Sequence, residues 1–181
     1  MEQKIIERYF DWAATAPCDE DILQASLSET FSAWGNPSSL HSVGKEAKRL
    51  LEKARASCAA ALGVSAETIY FTSGGTESDC IPLLSLLNRP QKGTVLVSSI
   101  EHPAVREQAE SLTKCGWRVV RIPATEGGII TKEAVLSKLT DDTALVCVMA
   151  VNNETGAIQP IKDIADALAK EAGNKRKAKL H

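Results

Sequence analysis

The 181-residue sequence lacks the features that mark several large classes of protein. It contains no CxxC pair, and its five cysteines stand singly, so it indicates neither a zinc site nor a disulfide framework. Basic residues are not in excess either, since 21 Lys and Arg are set against 23 Asp and Glu, for a net charge of −2. A nucleic-acid-binding surface needs concentrated positive charge. We therefore expect a reducing compartment, no metal and no nucleic acid.

Long apolar segments are also missing. No stretch approaches the roughly 18 apolar residues that a membrane span needs, and the opening residues MEQKIIERYF lack the apolar core of a signal peptide. We expect a cytoplasmic protein with no membrane contact. The hydrophobic content of 44% is ordinary for a globular domain with a real core.

From about residue 67 the chain alternates between strand-like and helix-like segments. Apolar, β-branched runs predict strands at 68–72, 94–99, 117–122 and 143–151. Amphipathic segments predict a helix after the glycines at 74–75, and further helices at 103–116, 131–139 and 160–173. This alternation predicts an α/β fold in three layers, α/β/α, with a mostly parallel sheet.

Local signals mark where several of these helices begin and end. Pro103 is expected at the first helical position and Thr131 at an N-cap, with Gly63 ending an earlier helix. Pro82 conflicts with this pattern, because a proline inside a helix costs about 3 kcal/mol if the helix stays straight. We expect a kink or a short first segment there. The basic run 175–180 predicts a solvated helix end.

The first 63 residues show a different pattern. Apolar residues at helical spacing predict two amphipathic helices, one over 22–34 and one over 40–62. The loop between them, WGNPSSLHSVG, is rich in turn residues.

The stretch FTSGGTES, residues 71–78, places two glycines between a predicted strand and a predicted helix. The free N–H groups and the dipole of a helix N-terminus attract an anion. Glycine lets the backbone approach a ligand closely, and the hydroxyls of Ser73 and Thr76 are further donors. A tight turn without any ligand explains the octet equally well.

Two further predicted strand ends carry polar groups. His102 precedes Pro103, and Asn152, Asn153 and Glu154 follow the most apolar strand. Each has a plain explanation, since histidine often caps a helix and paired asparagines often form turns. Ligands in open α/β sheets nevertheless bind beyond the carboxyl ends of the strands. The P-loop lysine and the GxGxxG fingerprint are both absent, which leaves small phosphate esters, with pyridoxal phosphate the obvious candidate.

Five blocks of sequence resemble, in order, the N-terminal half of NifS/IscS-type cysteine desulfurases, which are class V, fold-type I pyridoxal-phosphate enzymes. They are YFDWAATAP (9–17), GNPSSLHSVGKEA (35–47), FTSGGTES (71–78), EHPAV (101–105) and VMAVNNETGAIQPI (148–161). The resemblance covers the whole chain but about half of the family's length. It implies that 1–181 is the N-terminal portion of the cofactor-binding large domain, preceded by a helical segment at about 1–63.

The resemblance also implies roles for individual residues. Gly75 and Thr76 would hold the cofactor phosphate, and Asn153 would hydrogen-bond near the cofactor's ring hydroxyl and the substrate. His102 would stack on the pyridine ring and serve as a catalytic group in proton transfer. The loop Asn36–His41 would lie near the active site or the dimer interface.

The family reaction takes sulfur from L-cysteine, giving L-alanine and an enzyme persulfide for iron–sulfur cluster or thio-cofactor assembly. The resemblance therefore implies a homodimer and a sulfur-acceptor or scaffold protein as partner. Related alternatives are a selenocysteine lyase or another class V enzyme, such as a cysteine sulfinate desulfinase. A different alternative is a non-catalytic remnant, or one subunit of a split enzyme.

The sequence departs from the family in three respects. Ala150 replaces a histidine common in the family, and the run DCIPL brings in Pro82. The family's cofactor-binding lysine, its catalytic cysteine loop and the acid that pairs with the pyridine nitrogen would all lie beyond residue 181. The resemblance therefore implies that this chain alone is inactive.

Overall fold

The structure is a computed structural model that describes residues 8–171 and 179–180. The chain divides into two compact units, with the boundary between Phe71 and Thr72. No helix of the described residues is long and apolar enough to cross a membrane.

Between residues 8 and 71 the first unit contains two helices, α1 (Glu20–Ser32) and α2 (Ser42–Leu62), and a 3-10 turn at Ala66–Thr68. Asp19 caps α1, because its carboxylate accepts a hydrogen bond of 3.0 Å from the Ile22 N–H. Gly63 ends α2 in the left-handed conformation with φ 67°, as the sequence predicted. Both predicted helices are confirmed.

The loop between α1 and α2 packs closely on the first turn of α2. A Cβ added at Gly44 would lie 2.5 Å from the Ser39 carbonyl oxygen, so only glycine fits there. His41 caps α2 through Nδ1, which accepts from the Gly44 N–H at 3.4 Å. The abundance of turn residues in this loop therefore has a structural cause. That the loop lies near an active site or a dimer interface stays a prediction.

The second unit is built on a parallel sheet of four strands in the order β2-β1-β3-β4. The strands are β1 (Thr94–Ser98), β2 (Arg118–Ile122), β3 (Thr143–Cys147) and β4 (Lys179–Leu180). Val95 of β1 pairs with Val119 of β2 and with Leu145 of β3. All five residues of β1 and all five of β3 are buried, as expected for central strands covered on both faces.

Four helices cover the sheet: α3 (Gly75–Ser85), α4 (Pro103–Thr113), α5 (Lys132–Leu136) and α6 (Ile161–Glu171). Side chains of α3 and α4 pack with Val95 and Val97 in one core cluster. Side chains of α5 and α6 pack with Leu96 in a second cluster. Since successive residues of a strand point to opposite faces, the two clusters lie on opposite sides of the sheet. The predicted three-layer α/β/α fold is confirmed.

The predicted strand over Thr68–Thr72 is wrong. Thr68 ends the 3-10 turn, and Ile69–Thr72 form no ladder with any strand in the described part of the chain. Tyr70 is 80% exposed, so the segment is not buried either. Apolar, β-branched residues favour an extended backbone, but a strand also needs a partner strand.

Other predicted elements differ at their ends. β3 stops at Cys147 rather than at Val151, which forms only an isolated bridge with Ile158. Pro82 lies inside α3, which continues to Ser85. Lys179–Leu180 form β4 and not the predicted helix end, because they pair with Leu145 and Val146 of β3. The predicted helix end at Gly173 lies outside the described residues, as does the basic run at 175–178.

Candidate functional site

The glycine turn leads directly into α3 and leaves the N-terminus of that helix open. Gly74 is the N-cap and supplies no side chain, and the first turn closes where the Ser78 N–H donates to the Gly74 carbonyl at 3.1 Å. The N–H groups of Gly75, Thr76 and Glu77 therefore have no acceptor within the described part of the chain. Such a set of free donors at a helix N-terminus fits an anion.

The space in front of this turn is open. A Cβ added at Gly74 or Gly75 would meet, apart from chain neighbours and the backbone of its own helix, no atom of the described residues within 4 Å. Packing therefore does not require glycine at either position, and the space is available to a ligand. Thr76 is exposed, and its hydroxyl bonds to no described residue. Gly75 and Thr76 thus fit a phosphate group by the donors they present.

Glu77 braces the turn from inside the helix. Its carboxylate accepts from the Ser73 backbone N–H at 2.6 Å and from the Ser73 hydroxyl at 2.7 Å. These two hydrogen bonds lower the pKa of the Glu77 carboxyl below its ordinary value. The sequence predicted that the Ser73 hydroxyl was a donor for the anion, whereas in this structure it donates to Glu77.

His102 is the N-cap of α4. Its Nδ1 accepts from the Ala104 N–H at 3.1 Å, so a neutral imidazole carries its proton on Nε2. The capping bond restricts the ring, and the residue is exposed. His102 thus presents a ring face and an N–H donor at the end of α4 nearest the carboxyl end of β1.

The neighbouring residues Asn152 and Asn153 differ in what their side chains do. Asn152 is buried; its carbonyl oxygen accepts from the backbone N–H groups of Glu154 and Thr155 at 3.0 and 2.9 Å. Its amide nitrogen donates to the Ile100 carbonyl at 3.1 Å. Asn153 is exposed, and its amide bonds to no other part of the described chain. Asn152 is therefore the turn former, and Asn153 is left free to contact a ligand.

Glu101 joins the segments that follow β1 and β3. It is only 7% exposed, and its Oε1 accepts from the Ser98 hydroxyl at 2.5 Å and from the Met149 N–H at 2.7 Å. The sequence indicated no role for Glu101, and for Asn152 it indicated a turn but not the bond to the Ile100 carbonyl. The Ser-x-x-Glu spacing of 98–101, which often marks a side chain reaching back to a backbone donor, was the available signal.

The groups that follow β1 and β3 lie at the carboxyl edge of the sheet. β1 and β3 are adjacent and parallel, so His102 and Asn153 follow neighbouring strand ends. α3 contacts the start of α4, where the Cys80 thiol is 4.0 Å from the Ala104 carbonyl. That Gly75 and Thr76 face the same ligand as His102 and Asn153 stays a prediction.

Cys147 lies at the end of β3 but is not a nucleophile. It is 1% exposed, and burial raises the pKa of its thiol, with smaller contributions from the negative charges of Glu101 and Asp79. A thiol is reactive as the thiolate, which this environment disfavours. Within the described residues no group of three or more His, Cys, Asp or Glu side chains could hold a metal ion.

Comparison with known proteins places the chain in a family. Residues 8–175 match the family Aminotransferase class-V. The cysteine desulfurase NifS of Azotobacter vinelandii is 43% identical over 167 residues, which cover 91% of this chain and 41% of that protein. The solved structure of a NifS-like protein superposes with a TM-score of 0.87 at 35% identity, covering 96% of this chain and 47% of the other.

A second solved structure, SspA in complex with cysteine, has a TM-score of 0.85 at 29% identity, covering 96% of this chain and 49% of the other. The chain belongs to the class-V aminotransferase family, and its fold is that of the fold-type I NifS-like proteins. It spans about half the length of the relatives it matches.

Proposed function

We propose that this chain is the phosphate-binding part of the large domain of a pyridoxal-phosphate-dependent cysteine desulfurase. The observation that carries the proposal is the open N-terminus of α3, with its free Gly75 and Thr76 donors. We infer that it faces the same cofactor as His102 and Asn153, which follow neighbouring strand ends. The similarity to the Azotobacter desulfurase supports the choice of reaction.

Each residue has a role that its geometry permits. The Gly75 and Thr76 N–H groups and the Thr76 hydroxyl would bind the phosphate, assisted by the positive end of the helix dipole. Asn153 would donate its amide to the cofactor's ring hydroxyl. The ring of His102 would lie against the pyridine and accept or return a proton near the substrate. When bound, pyridoxal phosphate supplies the electron sink for the chemistry at the amino acid.

The substrate is L-cysteine, and the products are L-alanine and an enzyme persulfide that passes to a sulfur-acceptor or scaffold protein. The whole protein is a cytoplasmic homodimer. The described residues supply cofactor-holding groups, whereas the covalent lysine and the sulfur-accepting cysteine belong to the family's other half. Chain 1–181 alone is therefore inactive, and 1–63 is a helical segment that precedes the cofactor-binding portion.

The proposal is tested by measuring sulfide release from L-cysteine in the presence of pyridoxal phosphate and a dithiol, which reduces the enzyme persulfide to the free thiol and sulfide. The native protein, purified from its source, is expected to release sulfide and alanine in equal amounts. The recombinant 181-residue chain is expected to release none above a protein-free control. Selenocysteine is assayed in parallel. Turnover of selenocysteine without turnover of cysteine by the isolated protein would contradict the proposal and favour a selenocysteine lyase.

A further inference from the structure

Glu101 is a buried acid whose position links the two polar strand ends. Its Oε1 accepts one hydrogen bond from β1, through the Ser98 hydroxyl, and one from the segment after β3, through the Met149 N–H. The next residue along the chain is His102. Glu101 therefore ties the residue before His102 to the segment after β3.

Asn152 makes the reciprocal link. Its amide donates back across the sheet edge to the Ile100 carbonyl at 3.1 Å, and the next residue is Asn153. The two segments are thus joined by two side chains, each adjacent to one of the proposed cofactor-contacting residues. Both Glu101 and Asn152 are buried, and each makes one hydrogen bond to the opposite segment beside the bonds within its own.

Because Glu101 is buried, these hydrogen bonds determine where its carboxylate lies. A carboxylate taken out of water is costly unless hydrogen bonds compensate, and no ion pair with Glu101 occurs in the described ranges 8–171 and 179–180. Its two donors are therefore what holds it in this place. Removing the acceptor would leave the Met149 N–H and the Ser98 hydroxyl without a partner at the site.

We propose that Glu101 is a positioning residue that holds His102 and Asn153 at a fixed separation across the sheet edge. It acts as a hydrogen-bond acceptor and touches neither cofactor nor substrate. The proposal deepens the proposed function and rests on it for the identity of the ligand, but the link between the two segments can be tested without any ligand.

The test compares Glu101→Gln with Glu101→Leu in the 181-residue chain. Glutamine keeps a carbonyl acceptor for both donors, whereas leucine fills a similar volume without one. The exposed Glu107 on α4 supplies the matched controls Glu107→Gln and Glu107→Leu. The first readout is the NMR spectrum of the unliganded chain. Glu101→Leu is expected to shift the resonances of the His102 ring and of residues 149–153, Glu101→Gln to leave them nearly in place, and the Glu107 variants to move neither.

The second readout is the dissociation constant for pyridoxal phosphate. Glu101→Leu loses both hydrogen bonds at a buried site and is expected to bind pyridoxal phosphate about tenfold or more weakly. Glu101→Gln keeps an acceptor and is expected to weaken binding less than about threefold. If Glu101 served only to fill space, leucine would replace it without loss of binding. Binding retained by Glu101→Gln but lost in Glu101→Leu therefore shows that the hydrogen-bond acceptor is what matters. If Glu101→Leu does not fold, Ser98→Ala removes one donor alone and is expected to give an intermediate loss.

The results separate the two proposals. Unchanged 149–153 resonances in Glu101→Leu, or a loss in Glu101→Gln as large as that in Glu101→Leu, would overturn the role of Glu101. Failure of the unmodified chain to bind pyridoxal phosphate would count against the proposed function, while the NMR comparison would still decide whether Glu101 links the segments.

Discussion

At the scale of single residues, neighbours in the sequence have different tasks at the candidate site. Glu101 and Asn152 point inward and hold the two strand ends, whereas His102 and Asn153 are exposed beside them. The sequence predicted the exposed members from motif and resemblance. It did not predict the bonds that join the two strand ends, because Met149 and Ile100 are 48 and 52 residues distant in the chain from Glu101 and Asn152. Short motifs report local bonds and carry no information on such contacts.

Because the Glu77 carboxylate accepts two hydrogen bonds in the glycine turn, we expect the free energy of unfolding to depend on pH. The folded state holds the pKa of Glu77 below its ordinary value of 4.5, so the stabilisation is present above 4.5 and disappears as the pH falls through the lowered value. The stability difference between the unmodified chain and Glu77→Gln is therefore expected to be constant near neutral pH and to shrink below about 4.5. Urea unfolding at a series of pH values measures it.

Glu126→Gln, which alters an exposed loop carboxylate, is the control for this comparison and is expected to show little pH dependence relative to the unmodified chain. A Glu77→Gln difference that stayed constant down to the lowest pH at which the chain folds would show that the carboxylate does not brace the turn.

At the scale of helices and strands, the sequence predicted best where the determinant is local. Thr131 caps α5, with its hydroxyl accepting from the Ala134 N–H at 3.1 Å, and Pro103 opens α4. The strand predicted at Thr68–Thr72 was wrong, because a ladder depends on a partner that local composition cannot specify. The same reason explains why Lys179–Leu180 were predicted as a helix end although they pair with β3.

The end of α2 supplies a prediction at this scale. Gly63 adopts φ 67°, and a side chain in this left-handed conformation is strained even though the space around the position is open. Gly63→Ala is expected to lower the free energy of unfolding by about 1 kcal/mol. Chemical denaturation followed by circular dichroism measures this value. Gly127→Ala is the control, since Gly127 has no positive φ; equal losses in the two variants would contradict the role of the cap.

At the scale of the whole molecule, the alternation of strands and helices was enough to predict three layers and a parallel sheet. That alternation reflects burial, since β1 and β3 are covered on both faces by two separate core clusters. The placement of His102 and Asn153 after neighbouring strand ends follows from the parallel order of β1 and β3. What local patterns could not give was the pairing order, which is set by contacts distant in the chain.

The central claim is that the open N-terminus of α3 holds a cofactor phosphate. The most direct test is the dissociation constant of the 181-residue chain for pyridoxal phosphate, with inorganic phosphate as competitor and with Thr76→Val compared with Thr113→Val. Thr113 is exposed, and its hydroxyl donates to the Glu110 carbonyl at the far end of α4. We predict competition by phosphate, and binding weakened about tenfold or more in Thr76→Val but unchanged in Thr113→Val. Binding that neither phosphate nor Thr76→Val affects would contradict the account.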